Sequence, residues 1–170
     1  MADYLRNLMG AISRWEPSSA NAIRAIVGER RARIMLDDEA ATIRFEGERF
    51  IVRKAALPGN GNRALSNGGT DRKTCVALLA GHLEVSEAVM DGRLEINGSA
   101  EDVIDMCTVI ELMIDASTRI PEIQQLARTF RAEAAVDLMA ERHYRVERHK
   151  QLRALSEAEA VMLRRYHIRV

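Results

Sequence analysis

Histidine and cysteine are the side chains that most readily do chemistry near neutral pH, and this chain has four histidines and two cysteines. His82 follows a glycine that ends a helical pattern, and as an acid–base residue it would need Glu84 or Glu87 to orient its ring. An exposed loop histidine explains the position more simply. The other histidines are scattered among arginines at spacings that suit no metal ion: His143, His149 and His167. The sequence therefore predicts no metal site.

Both cysteines, Cys75 and Cys107, fall inside apolar helical patterns. Arg72 and Lys73 lie close to Cys75 in sequence and could lower the pKa of its thiol. The helical spacing nevertheless directs Cys75 inward, so we predict an inert thiol. Two buried, reduced thiols without a disulfide framework are typical of a cytosolic protein.

Other catalytic patterns are missing from the sequence. No serine occupies a Gly-x-Ser-x-Gly elbow. The Gly-Asn-Gly-Asn of residues 59–62 lacks the preceding buried strand and the Gly-Lys-Ser/Thr ending of a phosphate loop. We predict instead a loop, or an irregular edge strand at Arg63–Asn67. Because no set of nucleophile, base and orienting group emerges, the protein is predicted not to be an enzyme, and no cofactor is implied.

The elements that would position these residues follow from the spacing of apolar side chains. An amphipathic helix is predicted over residues 3–14, and a second helix ends near Gly28. A period of two then predicts three antiparallel strands with one apolar face, followed by a glycine-rich loop over residues 56–70. The apolar face of the strands carries Ile34 and Leu36, Ile43 and Phe45, and Phe50 and Val52.

A compact helix–strand unit follows the loop. Thr70 or Asp71 can cap a helix that runs to about Ala80. A short helical turn at residues 85–90 and a strand at residues 93–97 come next, separated by a glycine that permits the bend.

The rest of the chain is predicted to be helical. Ser99 caps a long helix and has Asp102 at the third position of a capping box. The apolar positions of this helix cover most of its circumference, which predicts burial on more than one side. A further helix is predicted from Pro121 to about Arg148, and a last short one after a capping box at residues 156–159.

Charge is distributed unevenly along the chain. The formal net charge is zero, which removes any bulk electrostatic argument for binding nucleic acid. Residues 142–170 nevertheless carry eight Arg or Lys against three acidic residues, a charge of +5, so residues 1–141 carry −5. The basic C-terminus would suit the surface of an anionic membrane or an acidic partner protein, or it is a solvated helix. No secretory signal and no apolar run long enough for a membrane span is present, so we expect a soluble, cytoplasmic protein.

Residues 78–98 carry a pattern that resembles the sterol-carrier-protein type 2 family. That family runs from a short helix ending in leucine–x–glycine, through a second helix with an alanine and bulky apolar residues, to glycine–x–leucine–x–isoleucine–x–glycine. The corresponding positions here are Leu79 and Gly81, then Ala88, Val89 and Met90, then Gly92, Leu94, Ile96 and Gly98. The likeness covers about residues 20–117, including the order of the elements.

The resemblance implies an α/β (α+β) fold: a small mixed, mainly antiparallel sheet covered by helices around a lipid-sized cavity. It implies a lipid-binding domain, which we place at residues 1–118. The C-terminal helical extension predicted at residues 119–170 lies outside the resemblance. The ligand-lining candidates, taken from this resemblance and from apolar spacing, are Leu79, Val89, Met90, Leu94, Met106, Ile110 and Met113. Alternatively, these residues and the eight methionines fill a closed core.

The function that follows is the non-catalytic binding or transfer of a lipid-like or other apolar small molecule. The alternative is an accessory or assembly subunit that binds a partner protein through its extension and carries no lipid. The apolar stripe of residues 121–148 either packs on the domain or pairs with a second subunit or partner protein.

Overall fold

The architecture was analysed in a computed structural model, which describes residues 1–56 and 68–134, together with residues 137, 139, 140, 142, 143, 146 and 147. The chain divides into two compact units, Met1–Val136 and Asp137–Val170, and the fold below is that of the first. Its elements, in chain order, are α1 (Ala2–Trp15), α2 (Pro17–Val27), β1 (Ala32–Leu36), β2 (Glu39–Glu46), β3 (Arg49–Ala55), β4 (Gly68–Thr70), α3 (Arg72–Leu79), α4 (Val85–Met90), β5 (Leu94–Ile96), α5 (Ala100–Arg119) and α6 (Pro121–Ala134).

The five strands form one sheet in the order β3-β2-β1-β4-β5. Strands β1, β2 and β3 are the predicted antiparallel meander, with Ala32 opposite Ile43 and Ile43 opposite Val52. Strand β4 runs parallel to β1 and antiparallel to β5. The sheet is therefore mixed and mainly antiparallel, and it is covered by helices, which confirms the predicted α+β class.

Strand β4 corrects the prediction of a loop over residues 56–70. Gly68, Gly69 and Thr70 lie in the interior of the sheet, where Gly68 is opposite both Ile34 of β1 and Ile96 of β5. Two glycines gave no apolar alternation, so the pattern indicated a loop. The predicted edge strand at Arg63–Asn67 lies outside the described residues.

Local signals explain why the helices begin where they do. In α5, the amide of Asp102 donates to Ser99 Oγ at 3.2 Å, and the amide of Ser99 donates to Asp102 Oδ2 at 3.0 Å. This reciprocal capping box satisfies amides that a helix start leaves free. Asp71 caps α3 by accepting from the amide of Thr74 at 2.6 Å. Gly81 and Gly92 have positive φ values of 69° and 65°, which let the chain turn after α3 and α4.

The helices cover one face of the sheet. Ala41, Ile43 and Val52 are buried beneath the first turns of α1. The side of β5 that shares this face packs with α3, α4 and α5, where Leu94 is buried. The prediction that apolar residues of the meander share one face is thus confirmed by the strand register.

Arginines dominate the opposite face of the meander. The register places Arg33, Thr42 and Arg53 in one row across β1, β2 and β3, and Arg44 beside Ile51 in the next. Arg31 lies with them, since it lines shallow surface depressions together with Arg33, Arg44 and Arg53. We refer to Arg31, Arg33, Arg44 and Arg53 as the arginine face.

Helix α6 belongs to the first compact unit. Ile123 is fully buried in a core cluster with residues of α1, α2 and α5, and Leu126 packs against that cluster. The predicted apolar stripe of residues 121–148 therefore packs on the domain as far as Ala134. The division at residue 118 assigned α6 to the extension, yet α6 supplies part of this core. The predicted continuation to Arg148 falls largely outside the described residues, and the last short helix falls wholly outside them.

Candidate ligand-binding site

A pocket of about 220 Å³ lies between the helix-covered face of the sheet and helices α1, α3, α5 and α6. Its wall is almost entirely apolar. All five strands contribute to it, and the helices contribute Tyr4, Leu5 and Leu8 of α1, Cys75, Leu78 and Leu79 of α3, Met106, Val109, Ile110, Met113 and Ile114 of α5, and Phe130 of α6. The pocket is thus the space that the sheet and its covering helices leave between them.

Helix α5 supplies the longest wall. Met106, Ile110 and Met113 recur at intervals of four and three residues, so their side chains share one stripe along the helix. Val109 is buried, whereas these three side chains are only half-buried. The prediction that α5 is buried on more than one side is confirmed. Val109 and Ala116 belong to the cluster formed with α1 and α2, whereas Cys107 and Ile110 pack against the cluster of α3, α4 and β5.

The sheet supplies the floor of the pocket. Ile34, Gly68 and Ile96 lie side by side on neighbouring strands, and Thr70 is paired with Leu94 one step along. At Gly68 an added Cβ would lie 3.0 Å from the carbonyl oxygen of Glu95. A bare backbone at this position keeps the strands close and leaves room above them.

Five of the seven predicted lining residues meet at the pocket: Leu79, Leu94, Met106, Ile110 and Met113. The other two, Val89 and Met90 of α4, do not line it. Val89 packs against the cluster formed by α3, α4 and β5, and the side chain of Met90 is 80% exposed. The short helix α4 turns its inner face toward that cluster, and Met90 lies at its end. Whether the five residues bind a ligand stays a prediction.

Tyr4 and Phe130 are lining residues that were not predicted from the sequence. Both belong to apolar stripes that were identified, yet neither helix carries the family-like pattern. Their rings contact each other with centroids 4.9 Å apart, tilted by 39°. This contact forms part of the pocket wall where α1 and α6 meet.

The chain matches no protein-family model, and no curated protein is significantly similar to it. Among solved structures, it is similar to sterol carrier protein 2 from Yarrowia lipolytica in its apo form. The sequences are 15% identical, the match covers 66% of this chain and 88% of that chain, and the TM-score is 0.43. That neighbour belongs to the family that residues 78–98 resemble. The superposition is loose, so the function proposed below is argued from the pocket alone.

The thiol of Cys75 faces the pocket but is poorly suited to nucleophilic chemistry. Burial raises its pKa to about 12, and the carboxylates of Asp71 and Asp37 add to the shift. Arg72 opposes this rise with a smaller effect. The net shift of the pKa is therefore upward, in the direction that the predicted inert thiol requires. Both cysteines are free thiols.

Arg72 lies beside the pocket and is held by acidic partners. Its Nε donates to Asp37 Oδ2 at 3.0 Å, its backbone amide donates to Asp37 Oδ1 at 3.1 Å, and its Nη2 donates to Glu39 Oε1 at 2.5 Å. The guanidinium carbon also lies 5.5 Å from the ring centroid of Phe130. The Arg72 charge is thus used to join α3 to the β1–β2 turn.

The carboxylates near His82 serve helix α4. Glu84 and Glu87 form its capping box, in which Glu87 Oε2 accepts from the amide of Glu84 at 3.0 Å. They are therefore used in local structure, as the loop interpretation of His82 expects. Within the described part of the chain, no three His, Cys, Asp or Glu side chains cluster as metal ligands would. In the same residues, no helix combines the length and hydrophobicity needed to cross a bilayer.

Proposed function

We propose that the protein binds a lipid-like or other apolar small molecule in this pocket, without catalysing a reaction on it. The observation that carries the proposal is an apolar space of about 220 Å³ inside the domain. Natural interiors are packed to near-crystal density, so a partly open apolar recess of this size, which the surrounding side chains leave unfilled, favours a binding role over packing alone. An engineered apolar cavity of about 150 Å³ already binds benzene.

The size of the pocket restricts the occupant. Typical sites for drug-sized ligands start at about 300 Å³, and this one is smaller. A single alkyl chain or a small ring system suits it better than a bulky polycyclic molecule. Binding would come from apolar area removed from water, worth about 25 cal/mol per Å².

The chemistry of the wall supports a role without catalysis. The thiol that faces the pocket is protonated at neutral pH because its pKa is about 12. The arginine beside the pocket is engaged by two carboxylates. Neither group is poised to attack a substrate or to transfer a proton.

Filling the pocket tests the proposal. Met106→Trp places a large ring in the space that a ligand would occupy, so we expect loss of binding while the fold is kept. The control is Met90→Trp, the same substitution on a side chain that is 80% exposed and outside the pocket. Binding is measured by displacement of an uncharged, apolar, environment-sensitive fluorophore, and by native mass spectrometry with lipid extraction after mild purification.

Two outcomes would count against binding in this pocket. The native protein could neither take up the fluorophore nor carry a co-purified ligand. Alternatively, Met106→Trp could bind as well as Met90→Trp does. Circular dichroism and thermal unfolding show whether each variant is folded, so that loss of binding is not confused with loss of structure.

The alternative function, an accessory subunit that binds a partner through the extension, has less support in the described residues. The first part of the apolar stripe, Ile123 and Leu126, is used against the domain. The segment after Ala134 falls largely outside the described residues, so this alternative stays a prediction.

A further inference from the structure

The hydroxyl group of Tyr4 is buried without a hydrogen-bond partner among the described residues. Buried polar groups in native proteins are almost always paired, and each exception calls for an explanation. An unsatisfied buried donor costs stability, about 1–3 kcal/mol. A phenylalanine at the same position would avoid this cost, so packing alone does not account for the hydroxyl.

The surroundings of Tyr4 place this donor at the pocket. Tyr4 is one of the residues of the pocket wall, and its ring is fixed against the ring of Phe130. Burial raises the pKa of its hydroxyl to about 12, with a smaller contribution from Cys75. At physiological pH, Tyr4 is therefore a neutral donor, and its ring is held in place by Phe130.

Two cations lie close to this part of the pocket, and both are paired. Arg72, whose guanidinium lies over the ring of Phe130, pairs with Asp37 and Glu39. The terminal amino group of Met1, another residue of the pocket wall, pairs with Glu39 Oε2 at 2.7 Å. The thiol of Cys75 is protonated, since burial raises its pKa to about 12. A carboxylate ligand would thus find a neutral donor and two cations that already have anionic partners. Burying such an anion without a dedicated cation is costly.

We propose that the natural ligand is an apolar molecule with one uncharged hydrogen-bond acceptor, such as a ketone, ester or alcohol oxygen, and that Tyr4 donates to it. This inference rests on the proposed function and specifies the polar group of the ligand. The apolar part lies along Met106, Ile110 and Met113, and the acceptor lies at the α1–α6 end of the pocket.

Access to the hydroxyl needs a small movement of the wall, because the oxygen is covered when the pocket is empty. Methionines are well suited to such a movement, since their unbranched side chains have three rotatable bonds. Met1, Met106 and Met113 all belong to the wall.

The test compares two ligands of equal shape in native protein and in Tyr4→Phe. One ligand is methyl heptyl ketone, and the other is the branched alkane in which a methyl group replaces the carbonyl oxygen. Tyr4→Phe is expected to weaken the affinity for the ketone by about three- to tenfold, which corresponds to the loss of one neutral hydrogen bond. The affinity for the alkane should stay unchanged. Leu8→Met, a volume-conserving change in the same wall, is expected to alter both affinities alike.

Two further measurements separate this role from a structural one. Ligand-free Tyr4→Phe should unfold at the same temperature as the native protein or higher, because the orphaned donor is gone. Nonanoate, an anion with the same number of carbon atoms, should bind more weakly than the ketone.

If Tyr4→Phe weakened the affinities for the ketone and the alkane equally, the inference would be overturned, but the proposed binding of an apolar molecule would stand. A clear drop in the unfolding temperature of ligand-free Tyr4→Phe would overturn it as well, as would tighter binding of nonanoate than of the ketone. Absence of binding for both uncharged ligands in the native protein would instead remove the proposed function, and this inference with it.

Discussion

At the scale of single residues, Cys75 shows how burial and charge compete for control of a thiol. Arg72 lies three residues earlier and would favour the thiolate, but it is held by Asp37 and Glu39. Removal from water and the carboxylates of Asp37 and Asp71 favour the thiol. The result is a pKa raised to about 12. Sequence proximity to a basic residue gave no measure of how much of that residue's charge is already paired.

This shift predicts how stability depends on pH. The unfolded thiol ionises from about pH 8.5 upward, whereas the folded thiol stays protonated up to about pH 12. Above the unfolded pKa the native state binds more protons than the unfolded state, so the free energy of unfolding falls as pH rises, by up to about 1.4 kcal/mol per pH unit for one group. Cys75→Ala should lose most of this slope between pH 8.5 and 10, measured by urea unfolding at several pH values.

Cys107 provides the comparison for this measurement. Burial also raises the pKa of Cys107, but its side chain lies outside the pocket wall, against the cluster of α3, α4 and β5. We expect Cys107→Ala to remove less of the alkaline slope than Cys75→Ala does. An alkaline slope that survives Cys75→Ala unchanged would contradict the deep burial of this thiol.

The lining residues show what spacing can and cannot predict. Met106, Ile110 and Met113 lie on a helix of 20 residues, whose long stripe identifies an inner side. Val89 and Met90 lie on a helix of six residues. One and a half turns contain too few apolar positions to decide which of two neighbours faces inward, and Met90 proved to be exposed.

At the scale of elements, strand β4 is unusual because two of its three residues are glycines. Strands are recognised in a sequence by alternating β-branched or aromatic residues. Gly68 and Gly69 give neither signal, yet their backbone pairs with β1 and β5. The helices were more predictable because their capping residues can be identified from the adjacent sequence, as with Ser99 and Asp102.

A pair of glycine substitutions tests this account of β4. Gly68→Ala puts a Cβ 3.0 Å from the carbonyl oxygen of Glu95, a backbone atom that cannot rotate away. We expect a loss of about 1–3 kcal/mol in the free energy of unfolding, as for other overpacked positions. Gly10→Ala is the matched control, since it lies inside α1 with nothing within 4 Å of the added atom.

The control should change stability in the opposite direction. Alanine is favoured over glycine inside a helix by about 1 kcal/mol, so Gly10→Ala should raise the midpoint of urea unfolding. If Gly68→Ala were as stable as the native protein, β4 could not be packed as closely against β5 as described.

At the scale of the whole molecule, α6 is part of the domain that we placed at residues 1–118. Ile123 and Phe130 of α6 are 0% and 6% exposed, and Ile120, which precedes the helix, is 2% exposed. Burying each such side chain is worth about 1.5–3 kcal/mol, so together they approach the total stability of a typical domain. The sequence pattern of the family ends before these residues, which is why the sequence left open whether they pack on the domain or against a second subunit or partner protein.

Two truncated chains test whether the domain ends at residue 118 or at residue 136. Residues 1–136 form a compact unit with its own core, so this fragment should unfold cooperatively and remain monodisperse in size-exclusion chromatography. Residues 1–118 lack α6 and should aggregate or fail to unfold cooperatively. A fragment 1–118 as stable as fragment 1–136 would show that α6 adds nothing to the core.

The pocket itself could not have been predicted from composition or spacing. The same apolar residues fill a closed core or surround a void, depending on side-chain volumes and on how closely the layers approach. Gly68 in the floor and the flexible methionines in the wall set these quantities here. They are properties of the packed layers rather than of any one segment.

The arginine face has a consequence for the molecule in an electric field. Residues 1–141 carry a formal charge of −5 even though four arginines gather on one side of the meander. One acidic residue at this face, Glu46, pairs with Arg44. Charge is thus unevenly distributed over the domain, and near a charged surface the resulting torque would favour one orientation of the domain over the rest.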